Sequence, residues 1–139
     1  MRFVLLIALA ACGSKQPVVV WSTSGTEVAE RIEVLSSGHI TYSTTVNGVP
    51  DKRDEVILTS DQVEEIDELF RNQRVCELAN DPAYTPTADE GKTKLVLAFP
   101  DQRCTVELWN HEWNHGRAQP ISETMRSMRP LRPHAGRVH

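Results

Sequence analysis

Apolar and polar positions alternate in short bursts along the first half of the chain. Val18-Val19-Val20-Trp21 is an apolar, β-branched run that reads as a first strand, and the turn-forming stretch Ser22 to Thr26 ends it. Ile32 and Val34 fall on one face of an alternating stretch from Arg31 to Val34. Ser36-Ser37-Gly38 turns the chain. Ile40, Tyr42, Thr44 and Val46 then share a face at period two, so the two stretches predict a hairpin. Asn47-Gly48 is a turn signal. Pro50 and the charged run Asp51 to Glu55 follow it, which predicts a loop before a further strand near Glu55 to Leu58.

The period then changes. Val63, Ile66, Leu69 and Phe70 recur at helical spacing and predict the main helix over about 60–72. Its start carries two capping patterns, Thr59 with Gln62 and Asp61 with Glu64. Asp61, Glu64, Glu65, Asp67 and Glu68 make its outer face acidic, as a solvated face would be, and the first acids suit the helix dipole. Asn80 to Gly91, with Pro82 and Pro86, reads as a long surface loop. Leu95, Leu97 and Phe99 alternate, Pro100 to Arg103 is a four-residue turn, and Cys104, Val106 and Leu108 share a face: a second hairpin. A short last helix opens near Pro120, carries Ile121, Met125 and Met128, and stops at Pro130. The order predicts an α+β fold: an antiparallel sheet of two hairpins plus extra strands, with the main helix and a short C-terminal helix on one face.

The extreme N-terminus follows another logic. Arg2 is a positive start, Phe3 to Ala11 is continuously apolar, and Leu9-Ala10-Ala11-Cys12 closes the run with small residues before a cysteine. The run is about half of the roughly 20 apolar residues that a spanning helix needs. Residues 1–12 resemble the bacterial prolipoprotein signal. That resemblance implies cleavage before Cys12, lipid on its thiol and often on its new amine, and attachment to a membrane by several acyl chains worth about 0.8 kcal/mol per buried methylene. Gly13 and Ser14 follow the cysteine, with no Asp there, which in enterobacterial lipoproteins leans towards the outer membrane facing the periplasm. The organisation predicted is a signal peptide (1–11), a tether (12–17), one α+β domain (18–129) and a flexible, basic tail (130–139).

Cleavage leaves 128 residues, enough for one core, and takes the balance from 15 basic residues to 14 against 19 acidic, a net charge of −5. Such a chain lacks the basic excess of a nucleic-acid binder. With Cys12 acylated, Cys76 and Cys104 remain as an even pair in an oxidising compartment, and a disulfide between them is expected. On the chain-entropy estimate it would contribute about 3.6 kcal/mol. The pair has no C-x-x-C spacing, so a redox-active role is not indicated.

His111-Glu112-Trp113-Asn114-His115 matches H-E-x-x-H in letters. On a helix that spacing sets two imidazoles side by side for zinc, with the glutamate as base. Here the motif follows a strand pattern and Gly116 comes directly after. Third ligands are limited to Glu123, His134 or His139. A zinc-dependent hydrolase is therefore the lesser alternative, and no cofactor is expected. No nucleophile elbow, P-loop or dinucleotide fingerprint is present. Trp109, Trp113, His111 and His115 instead suggest contact residues for a protein or peptide partner, since aromatic residues are enriched at binding hot spots. The order of elements also resembles emfourin-type metalloprotease inhibitors, through Ile32 to Gly38, Leu58 to Phe70, Lys94 to Leu108 and Pro120 to Met128. Only Gly38 stands where that family has a double glycine. The resemblance implies a protease inhibitor as a second alternative. The leading expectation is a non-enzymatic, lipid-anchored envelope protein that binds a protein or peptide partner.

Overall fold

A computed structural model describes residues 16–24 and 27–129. Cys12, the whole 1–12 signal and the 130–139 tail lie outside the described residues. Among the described residues, six strands form one antiparallel sheet: β1 (Pro17–Ser24), β2 (Val28–Leu35), β3 (His39–Val46), β4 (Val49–Ile57), β5 (Lys92–Phe99) and β6 (Gln102–Trp109). Their spatial order is β4-β3-β2-β1-β5-β6, so a four-strand meander is joined to a hairpin through β1 and β5. Among the described residues, two helices, α1 (Ser60–Asn72) and α2 (Ala118–Ser127), complete the α+β fold that the periodicity predicts. Among the described residues no helix is long and apolar enough to cross a membrane.

Strand parity decides the core. Val19, Trp21, Ile32, Val34, Ile40, Leu95, Leu97, Val106 and Leu108 all point to one face and are buried. Val63, Ile66 and Phe70 of α1 and Ile121 and Met125 of α2 close over them in the same cluster. Thr59 caps α1 through the capping box: its hydroxyl accepts from the Gln62 amide at 3.1 Å, and the Gln62 side chain accepts from the Thr59 amide at 2.9 Å. Of the two capping patterns in the sequence, this is the one the helix uses.

Three turns differ from expectation, the first because β1 runs on through Ser22, Thr23 and Ser24, which pair with β5 instead of turning. The chain does not loop between Asn47 and Glu55. Asn47 (φ 52°) and Gly48 (φ 82°) form a tight two-residue turn, Val46 pairs directly with Val49, and β4 runs through Pro50 and the whole charged stretch. Both turn residues are left-handed, the geometry that matches strand twist. The charges are tolerated because β4 is an edge strand and residues 49–55 are exposed, where charge and proline guard against edge pairing. A register shift between Thr44 and Thr45 absorbs the extra residue, and the Thr44 hydroxyl accepts the Lys52 amide at 3.2 Å. The second hairpin is also tighter than a four-residue turn. Phe99 pairs with Gln102, which leaves Pro100 and Asp101 as the connection.

Gly38 is needed where it stands. Its φ is 97°, and an added Cβ would lie 2.1 Å from the Leu58 carbonyl oxygen. The Leu58 amide donates to the Gly38 carbonyl at 2.8 Å, so the β2–β3 turn is fastened to the segment leaving β4 for α1.

Candidate functional site

Two regions carry the candidate chemistry. The first holds the residues nominated from sequence, where the chain leaves β6. Glu112–Asn114 is a single 3₁₀ turn, and His115 beyond it is extended (φ −134°, ψ 155°), so the H-E-x-x-H letters do not lie on an α-helix. The rings of His111 and His115 still approach, 4.3 Å between centroids and tilted by 51°. His111 also stacks on Tyr84 of the long loop, at 4.9 Å and 5°. Glu112 faces that loop: its carboxylate accepts the Asp81 amide at 2.9 and 3.1 Å. Among the described residues no three His, Cys, Asp or Glu side chains are grouped to hold a metal ion. Glu123 is exposed on α2, and His134 and His139 lie outside the described residues.

The four nominated contact residues separate. Trp113 is only 1% exposed. Its ring meets Trp21 edge-on at 4.9 Å, and its indole N–H donates to the Thr93 carbonyl at 2.9 Å. An indole so enclosed plugs the end of the sheet. Trp109 is half-buried at the end of β6, with the Lys92 ammonium 4.5 Å above its ring. His111 and His115 are exposed.

The long loop is tied to this region by hydrogen bonds. The Asn80 side chain accepts the Trp109 amide at 3.0 Å and donates to the Glu107 carbonyl, so the loop covers part of the β6 edge. Glu90 accepts the His111 amide at 2.7 Å and the Tyr84 hydroxyl. That hydroxyl bond, then desolvation of the phenol, then the charges of Glu90 and Glu112 push the Tyr84 pKa up to about 12, and the same bond holds Glu90 below the usual carboxylate range. The linkage has a definite sign. Stability from Tyr84 is complete below its ordinary value near 10 and is lost as pH rises through about 12. Stability from Glu90 is present above the ordinary carboxylate range and is lost as pH falls through its lowered value. Ultraviolet titration of tyrosinate should therefore show a midpoint near 12 for Tyr84 that falls back towards 10 in Glu90→Gln. An unmoved midpoint would show that Glu90 does not set it.

Cys76 and Cys104 form the expected disulfide, with Cα atoms 5.7 Å apart. It ties the short 3₁₀ turn after α1 (Val75–Glu77) to β6.

The second region was not nominated from sequence. A groove of about 790 Å³ runs between α1 and α2 over β3 and β4. Its apolar floor and walls come from Ile40, Val56, Leu58, Ile66, Leu69 and Met128. Gln62, Glu65 and Arg129 add polar groups to its lining. The exposed face of α1 beside it carries Asp61, Glu64, Glu65 and Glu68, none of which has an ion-pair partner among the described residues. The acidic face was legible in the sequence; the groove was not, because its lining is drawn from four elements far apart along the chain.

No protein-family model matches this chain, and no curated protein is similar enough to it to count as a match.

Proposed function

We propose that this protein is a non-enzymatic, lipid-anchored envelope protein whose folded part binds a segment of a protein or peptide partner in the α1–α2 groove. The groove is the observation that carries the reading: it is concave, apolar and open at the surface, as ligand sites usually are. The acidic face of α1 favours a partner segment with basic residues beside an apolar anchor, since complementary charge steers encounter and fixes register. The anchor rests on Leu9-Ala10-Ala11-Cys12. Acylation at Cys12 would hold the groove close to a membrane, because the stretch from Cys12 to Pro17 is short.

Two measurements test the two halves. Mass spectrometry of envelope-derived protein should find a mature chain beginning at an acylated Cys12; an unmodified thiol or a retained signal would end the anchoring half. A photo-crosslinking residue at Leu69 should give a discrete adduct in the native envelope. That adduct should disappear with Leu58→Asp and weaken with Glu65→Lys. Equal labelling from a probe at Thr105, which is exposed on β6, would remove the groove from the argument.

A further inference from the structure

A second cavity lies at the other side of α2, and its chemistry is the reverse of the groove's. It measures about 180 Å³ and adjoins another of about 240 Å³, the two sharing Thr23, Glu30, Asn110 and Arg129. Its inner wall is Trp21, and the C-terminal end of α2 brings Arg126 and Arg129 to it.

The hydrogen-bond inventory of this cavity is unbalanced. Its side-chain acceptors are already engaged. The Glu30 carboxylate, almost enclosed, accepts from Arg129 Nε at 2.9 Å, from a second Arg129 nitrogen and from the Tyr42 hydroxyl at 3.2 Å. Asn110 Oδ1 accepts the Thr93 hydroxyl at 2.6 Å, and Asn114 Oδ1 accepts Arg126 at 2.7 Å. The donors are not used up. Trp21 is 2% exposed, and its buried indole N–H meets no acceptor among the described residues. The Asn110 amide nitrogen donates to nothing among the described residues, and each guanidinium has N–H groups to spare. A buried donor without a partner costs about 1–3 kcal/mol; the Trp21 indole is that donor here, and the part-exposed Asn110 amide and guanidiniums beside it leave the cavity rich in donors and short of an acceptor. Arginines at a helix C-terminus also suit the helix dipole. That accounts for their charge, but not for an indole and an amide left without acceptors beside them.

We propose that this cavity binds a carboxylate. Two guanidiniums against one carboxylate leave a single positive charge, which matches a monoanion. The planar fork of a guanidinium matches the two oxygens of a carboxylate. The volume suits a small acid or the end of a chain. A free small carboxylate and the C-terminal carboxylate of a peptide offer the same chemistry. The inference is independent of the groove, which takes apolar side chains, and its failure leaves that reading standing.

The test is a titration of the full-length protein at constant ionic strength, followed by tryptophan fluorescence and calorimetry, because Trp21 and Trp113 both line the cavity. The probes are acetate, N-acetylglycine, and one short peptide with either a free or an amidated C-terminus. Saturable binding of the free acids, with none for the amidated peptide, is the expected result. Acetate binding as tightly as the peptide acid would assign a free small acid; binding of the peptide acid alone would assign a chain terminus. Arg126→Gln should weaken binding about tenfold or more, the worth of a charge-assisted hydrogen bond, and Arg126→Lys should restore only part of it. Trp21→Phe, which keeps an aromatic ring and removes the N–H, should weaken it less. Circular dichroism identifies any variant that has merely unfolded. No saturable response to any free acid, an equal response to chloride or phosphate, or undiminished binding in Arg126→Gln would overturn the proposal and leave a cavity that holds only water.

Discussion

Replacing Cys76 and Cys104 by serine together should lower stability by about 3.6 kcal/mol and the melting temperature by on the order of 10 °C. The bridge spans a sequence separation of 28, so its removal frees a long loop in the unfolded chain. That loop contains the Asn80–Gly91 stretch, which has little regular structure of its own. The rest of the loop keeps its hydrogen bonds from Asn80, Glu90 and Glu112. The double variant should therefore fold to the same sheet with a lower denaturant midpoint. Equal midpoints for the oxidised protein and the double variant would mean that the loop is held by those polar contacts alone.

Trp113→Ala should cost about 3–5 kcal/mol, the range for truncating a buried aromatic residue. The indole is enclosed, it is edge-on to Trp21, and its N–H satisfies the Thr93 carbonyl of β5. The carbonyl of the same residue accepts the buried Ser122 hydroxyl at 2.7 Å, so this one position links the 3₁₀ turn, the sheet and α2. Trp113→Phe separates the contributions. It keeps most of the packing and loses the hydrogen bond, so it should cost about 1–3 kcal/mol. Chemical denaturation followed by circular dichroism reads both. A change below about 0.5 kcal/mol for the alanine variant would place Trp113 with ordinary surface positions, against its burial.

Trp113 also shows where a sequence reading meets its limit. In the string Trp109 to His115 the two tryptophans look alike, both beside polar residues and both past the end of a clear strand pattern. One is half-buried beneath a lysine; the other is a keystone of the core. Outside regular periods, nothing local says which way a side chain faces. The H-E-x-x-H letters fail in the same way: the spacing has meaning only on an α-helix, and a 3₁₀ turn stands there instead. The edge strand β4 was hidden for a different reason. Charges and a proline read as loop, yet an edge strand with its residues exposed needs no apolar face, and Asn47-Gly48 set the turn.

Legible from the residues alone were the α+β class, the apolar faces of β2, β3, β5 and β6, the span of α1 with two candidate caps, and the pairing of Cys76 with Cys104. Each follows from a period of two or 3.6, a capping pattern, or simple parity, all of which act over a few residues. Tertiary structure alone decided that β1 joins the meander to the second hairpin. It alone opened an apolar groove on one side of α2 and gathered donors without acceptors on the other. Those features are gaps between layers. Their walls come from elements distant along the chain, so no local pattern encodes them, and only the packing of helices over a twisted sheet brings them into being.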